Sequence, residues 1–427
     1  MKRILFPLPI VAAVLLLLGP HHARAQQALT WDQVKARFEA SNPALRADAD
    51  NVDEMRAQEI TAYLRPNPQL TTTVDGTEIA PNAGHWQPMS GTFVSPNLSY
   101  LHERDHKREL RLQSAQQGTK ISASQHEDLQ RTLEFTLRSA FVSTLEAKSV
   151  AAMAQADLDY YDHIVALSRE RLKDGDIAQI DFDRIELMRV QYESELQTAL
   201  VNLRTAKIQL LYLLDDRTPV DQFDVSGQFA FSAALQPLDA YRQMAMAARP
   251  DLEAALEAAQ QAVTNHKLAM ANGSVDPTFG AWYTWNSAVN NPYPIDMQTV
   301  GVSVSVPLRI FDRNQGEKQR TQIDIDRNQQ LAEAARAQVF SDVDSAYAQV
   351  QAEIALLTPY RDKYNAEALH VRDTVTYSYQ HGGASLMDFL NAQSDFRQVQ
   401  LAYAQLTGAY LTAVAQLNLA VGREVIP

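Results

Sequence analysis

The chain has 427 residues, no cysteine, and 38 basic against 51 acidic residues, for a formal charge of −13. Without cysteine it forms no disulfide, no thiolate metal site and no lipid-bearing N-terminal Cys. The acidic balance argues against nucleic acid and anionic lipid surfaces as partners.

Met1 to Ala25 reads as a secretory signal. Lys2 and Arg3 start it, Ile4 to Leu18 is apolar, and Gly19-Pro20 ends the run. Ala23-Arg24-Ala25 offers a cleavage site before Gln26. Removing Lys2, Arg3 and Arg24 leaves 35 basic residues against 51 acidic, a net of about −16. No later stretch is long and apolar enough to be expected as a membrane-spanning helix.

The rest of the chain repeats. A shift of 207 places Pro43 on Pro250, Gly175 on Gly382, Asp181-Phe182 on Asp388-Phe389, and Gln209-Leu210 on Gln416-Leu417. Shifts of 209 and 211 place Pro68 on Pro277 and Pro96 on Pro307. The reading is a duplicated unit, 26–218 and 237–423, with a linker at 219–236 and a tail at 424–427.

In the first repeat a helix starts at Trp31 with Thr30 as N-cap. Asn42-Pro43 interrupts it, and a second helix runs to about Leu64, ending at Arg65-Pro66-Asn67-Pro68. Gln69 to Val74 is a Thr-rich strand, Gly76 to Pro88 a loop containing Asn82, and Met89 to Tyr100 a second strand. From Arg104 to Leu172 there is no proline, which predicts a rod of roughly 69 residues and about 100 Å. Lys173-Asp174-Gly175-Asp176 turns it into a returning helix.

The second repeat follows the same order. Arg249-Pro250 breaks its opening helices, and Asn272-Gly273 ends them. Thr278 to Asn286 is an aromatic-rich strand and Asn290 to Pro294 a loop. Thr299 to Pro307 alternates strictly, with Val300, Val302, Val304 and Val306 on one face and Gly301, Ser303 and Ser305 on the other. A rod from Arg313 to Tyr379 carries Pro359 as its single proline, and His381-Gly382-Gly383 turns it.

Four strands are too few to close a membrane barrel, which begins at eight. If they enter lipid, more than one copy is required: two supply eight strands and three supply twelve. The valine face would then meet lipid and the Gly/Ser face would line a pore. Trp282, Tyr283 and Trp285, with Trp86 and Tyr100, are candidates for an interfacial girdle. The plainer alternative is a small soluble sheet capping a helical bundle.

Tyr379 to Gln393 (YQHGGASLMDFLNAQ) sets a glycine turn before Ser385-Leu386, an acid and an Ala-Gln step. Gly175 to Phe182 is its first-repeat counterpart. On these residues the chain resembles the TolC family of outer-membrane efflux ducts, including components of heavy-metal pumps, over roughly Leu29 to Arg423. The resemblance implies mainly α structure with membrane β: a homotrimer with a barrel in the outer membrane and a helical periplasmic tunnel. It also implies a closable entrance at the hairpin tips, a periplasmic adaptor and an inner-membrane pump. Many relatives begin with a lipidated cysteine, which is absent here. Relatives often carry a second acid where this chain has Asn391, so the entrance ring is expected to be weaker.

Asp388 is the candidate for a carboxylate ring at the entrance, with Asn391 beside it. Its ordinary alternative is a helix N-terminal acid, a reading that Asp181 in the matching position supports. Leu172, Gly175, Ile177, Asp181, Tyr379, Gly382 and Ser385 are candidate adaptor contacts, or simply tip packing.

His102-Glu103-Arg104-Asp105-His106 matches the zincin pattern H-E-x-x-H, which needs both His on one helix face. It sits where strand gives way to rod, and the counterpart Phe311 to Gly316 lacks it. No catalytic residue, cofactor or metal site is expected. The primary reading is a passive exit duct. Its rivals are a soluble periplasmic coiled-coil adaptor or scaffold and, far behind, a zinc peptidase.

Overall fold

A computed structural model describes residues 28–426 apart from 78, 82, 83, 87, 90 and 287–296. The signal segment, Asn82 and the loop Asn290 to Pro294 lie outside the described residues. The first run of elements is α1 (Trp31–Ser41), α2 (Pro43–Tyr63), β1 (Gln69–Asp75), β2 (Phe93–Leu101), α3 (Lys107–Asp174) and α4 (Gln179–Leu213). The second is α5 (Leu238–Ala248), α6 (Pro250–Asn272), β3 (Thr278–Asn286), β4 (Met297–Ser305), α7 (Gln315–Pro359), α8 (Asn365–Gln380) and α9 (Leu386–Val421). A π-turn, Tyr360–Tyr364, joins α7 to α8.

The paired helix breaks have one cause. A residue before proline is pushed out of the helical region. Asn42 takes φ −63°, ψ 118° and Arg249 takes φ −81°, ψ 116°. Each proline then starts the next helix, where its missing N–H costs nothing. At the head of α1 the Thr30 backbone N–H donates to Gln33 Oε1 at 3.1 Å.

Several boundaries differ from the sequence reading. β2 begins at Phe93, after Gly91 at φ +81° and the Thr92 N–H that donates to Met89 O. β4 ends at Ser305, where its partner strand starts at Thr278, so Val306 and Pro307 fall beyond the ladder. The first rod starts at Lys107 because Asp105 and His106 both have φ +56°. The second starts at Gln315, after Asn314 at φ +61°. Pro359 divides that rod. Having no N–H to donate and a ring that crowds the preceding turn, it is followed by a wider π-turn before the helix resumes.

The described residues fall into two compact units, each drawing on both repeats. One holds the residues up to Pro43 with Glu134–Leu235 and Gln349–Gln416. The other holds Ala44–Leu133, Gln236–Ala348 and the residues from Leu417.

The second unit carries the whole sheet, antiparallel throughout in the order β1-β2-β3-β4. An ion pair between a buried lysine and a half-buried aspartate fixes the passage from β2 into α3. Lys107, 3% exposed, places Nζ 2.6 Å from Asp276 Oδ2 and 3.2 Å from Ser274 O. Asp276 Oδ1 accepts the Arg104 backbone N–H, and the His102 N–H donates to Pro277 O. Arg249 is buried in the same unit and reaches Asp251, Asp342 and the Ala420 carbonyl.

Burial pushes the Asp276 carboxyl up, but the hydrogen bonds from Lys107 and the Arg104 N–H outweigh it and hold the carboxyl below the usual range. A depressed folded value contributes stability above the unfolded value, lost as pH falls through the folded one. Asp276→Ala leaves a buried ammonium uncompensated and should cost about 3–5 kcal/mol at pH 7. Thermal melts followed by circular dichroism should show the gap to wild type closing as pH falls below the ordinary carboxylate range and through the lowered Asp276 value.

Candidate functional site

Strand alternation sorts the sheet into two faces. Val300, Val302 and Val304 are 83%, 83% and 62% exposed. They stand opposite Tyr283, Ala281 and Phe279, and the next strand adds Leu98 and Tyr100 to the same face. The other face carries Thr71, Thr73, Asn97, Thr284 and Ser303, with the Ser95 and Thr284 hydroxyls 2.9 Å apart. Four strands thus present one apolar and one polar surface. β1 and β4 each pair on one side only among the described residues.

Trp282 corrects the girdle expected from sequence. Tyr283, Trp285 and Tyr100 share the valine face, but Trp282 has the opposite parity and pairs with Gly301 on the polar face. Its ring lies across that glycine, where an added Cβ would stand 2.3 Å from Trp282 Cζ2. Trp86 is exposed in the connection between β1 and β2.

The hairpin tips belong to the first unit. Both are closed by the same main-chain hydrogen bonds: Asp176 N–H to Arg171 O and Gly383 N–H to Ser378 O, each 2.8 Å. Such a closure needs a left-handed residue, and Gly175 and Gly382 supply it at φ +83° and +75°. No atom lies within 4 Å of an added Cβ at either position, so backbone conformation alone demands glycine there.

The tips differ in their caps. Ser385 Oγ accepts the Asp388 N–H at 3.1 Å, while Asp388 Oδ2 accepts from the Ser385 hydroxyl at 2.7 Å and its N–H at 3.2 Å. This reciprocal cap starts α9. The bonds from Ser385 hold the exposed Asp388 carboxylate below the usual range. At the matching position α4 is preceded by Ala178, which has no side chain to pair with Asp181. Asn391 is exposed one helical turn beyond Asp388.

Tyr379 and Phe389 stack at 4.9 Å inside the tip's own core, with Phe182 and Ile185. Leu172 and Ile177 pack against that core. Of the candidate contacts, Gly175, Gly382 and Ser385 are exposed, Asp181 is half-buried, and Leu172, Ile177 and Tyr379 form the packing beneath. Tyr161 is fully buried and stacks on Tyr192 at 4.6 Å. Burial pushes the Tyr192 phenol up to about 12.

Farther from the tip, a cavity of about 730 Å³ is lined by Glu146, Asp157, Tyr192, Glu195 and Arg397 among others. Arg397 pairs with Glu195 at 2.7 Å. Burial pushes the Glu146 and Asp157 carboxyls up, the latter against Arg397 and Arg372. Gly408 leaves room for the Glu146 carboxylate. These residues are far apart in sequence and carry no motif, so only the packed helices reveal them.

His102 to His106 is not helical, since α3 begins at Lys107. Arg111 holds Glu103 at 2.5 and 2.9 Å, and the His102 ring packs edge-on to Phe279. The helix face that a zincin motif requires is not formed. No group of three or more His, Asp or Glu among the described residues is placed to hold a metal ion.

Residues 241–423 match the model of the family described as Outer membrane efflux protein. The chain is 22% identical to the cobalt-zinc-cadmium resistance protein CzcC of Cupriavidus metallidurans, over 99% of this chain and 100% of that protein. It is 25% identical to the outer membrane efflux protein BepC of Brucella suis, over 70% and 66% of the two chains. The fold superimposes on the transmembrane channel CusC with a TM-score of 0.75 and 17% identity, covering 92% of each chain.

Gly382→Ala should destabilise its tip by about 1–2 kcal/mol. Ser385→Ala should remove about 1 kcal/mol of capping. Hydrogen exchange checks both: amides of 378–392 should exchange faster in either variant, and those of the β2–β3 ladder should not change.

Proposed function

This chain is a relative of the outer membrane efflux proteins and shares their channel fold, and we propose that three copies form the exit duct of a tripartite efflux system. The observation that carries this reading is the sheet, with its apolar face, its polar face and two unpaired edges. In lipid, unpaired strand edges leave backbone groups without partners, so strands span a membrane only as closed barrels. Three copies would supply twelve strands, above the eight at which such barrels begin. The valine face would meet outer-membrane lipid and the Thr/Ser/Asn face would enclose water.

Each repeat, 26–218 and 237–423, contributes two strands and one helical hairpin. Signal peptidase would remove Met1 to Ala25 on export. The hairpins would form the periplasmic tunnel, with Asp388 and Asn391 near the axis at its entrance. The Ser385 bonds favour an ionised Asp388, so three copies would make an anionic ring that admits cations. The exposed Gly175, Gly382 and Ser385 would meet a periplasmic adaptor, with Leu172, Ile177, Asp181 and Tyr379 shaping that surface from beneath and beside it. An inner-membrane pump would supply the energy, because a water-filled duct is passive. The name of CzcC points to divalent metal ions as cargo, with other small molecules compatible with the same duct. A soluble adaptor or scaffold is disfavoured by the row of exposed valines.

Purified protein in planar bilayers tests this. Stable pores are expected, selective for cations, with selectivity reduced in Asp388→Ala. The wild-type preference should be lost only as pH falls below the ordinary carboxylate range, because the Ser385 bonds lower the Asp388 carboxyl. Pores indifferent to the substitution would reduce Asp388 to a helix cap. A folded protein that forms no pores would overturn the duct.

A further inference from the structure

The cavity of about 730 Å³ between α3, α4 and α9 has a patterned floor. Glu146, Val150, Met153 and Asp157 recur on α3 at spacings of four, three and four. They therefore fall on one helix face, and all four are half-buried. A carboxylate stands at each end of two apolar side chains. At 1.5 Å per residue the two ends lie roughly 16 Å apart along the helix. α9 runs the other way over the same span: Gly408 meets Glu146, and Arg397 acts on Asp157.

Neither end is answered by a cation of its own. Burial pushes the Glu146 carboxyl up, and no charge or hydrogen bond opposes it. Gly408 is buried inside a helix, where glycine is destabilising relative to alanine. An added Cβ there would collide with the Glu146 carboxylate. The fold thus gives up helix stability to keep an unpaired carboxylate in the cavity. At the other end, burial pushes Asp157 up despite Arg397 and Arg372. Arg397 is engaged with Glu195 at 2.7 Å and lies over the Tyr192 ring, and Arg372 pairs with Asp373 at 2.6 Å. The lining sets Glu146, Asp157 and Glu195 against the single guanidinium of Arg397, two positive charges short of neutrality.

Carboxylates this far apart cannot share one metal ion, whose ligand oxygens lie within about 2.6 Å of it. They suit a flexible chain with an ammonium near each end. Ammonium groups make charge-assisted hydrogen bonds to carboxylates, and the methylenes between them gain by covering apolar surface. We infer that this cavity is a binding site for a linear polyamine, with its end ammoniums on Glu146 and Asp157 and its methylenes over Val150 and Met153. The site lies within one chain and one compact unit, so the inference does not depend on the channel reading. Its occupant would touch both hairpins, α3 and α4 from the first repeat and α9 from the second.

Isothermal titration calorimetry of the full chain in detergent, with spermine as the probe, tests this. Spermine should bind saturably, one per chain. Glu146→Gln and Asp157→Asn, which keep side-chain size, should each weaken it by about tenfold or more. Asp326→Asn, at an exposed acid on α7 outside the cavity, should leave it unchanged. Butane-1,4-diamine, too short to reach both carboxylates, and magnesium ion should each bind about tenfold more weakly than spermine or worse. Absence of saturable binding to the wild-type chain would overturn the site. Equal effects of all three substitutions, or none from any, would reduce the binding to general attraction by an acidic chain. Sensitivity to only one of the two carboxylates, or equal affinity for either smaller probe, would overturn the two-ended pose.

Discussion

The outer edges of β1 and β4, unpaired among the described residues, are the constraint on which the rest depends. An isolated four-stranded sheet tolerates open edges in water and cannot tolerate them in hydrocarbon, where each unsatisfied group costs several kcal/mol. The two edges belong to different strands, so in the proposed duct copies would join head to tail in a closed ring. In such a ring strand parity would assign each side chain of the sheet to lipid or to water. Trp282 and Gly301 show how strictly: the indole follows its parity onto the polar face, and the glycine across from it is the accommodation.

Between sheet and rods the chain must change from one backbone geometry to another. At the first junction Asp105 and His106 turn left-handed and the Lys107–Asp276 pair locks the result. At the second, Asn314 turns alone and its side-chain amide donates to Ala269 O. The tips show the same division of labour. Glycine reversals are identical in the two repeats, while the Ser385–Asp388 cap occurs in one. What duplication preserved is the geometry of reversal, and what differs is the chemistry placed beside it.

Much of this was legible in the sequence because local rules dictate it. Pro43, Pro250, Gly175 and Gly382 act through backbone restriction, which needs no knowledge of the fold. The valine alternation in β4 requires only the two-residue period of a strand. The reading failed where distant residues decide. The limits of β4 depend on where β3 begins, and the role of Trp282 depends on cross-strand register. The Lys107–Asp276 pair joins residues from the two repeats, as do the Glu195 and Arg397 that line the cavity. Pro359 was visible as a proline, but the length of π-turn needed to absorb it was not.

The difference between the two edges has a genetic side. If a ring closes only when every β4 meets a β1, a chain damaged along one edge can still join a neighbour through the other and leave the ring open. If the ring holds three copies as proposed, a cell making sound and damaged chains equally would build only about one ring in eight from sound chains alone. Edge defects should therefore behave as dominant alleles, while losses confined to the tip of one hairpin can be diluted by the other two copies.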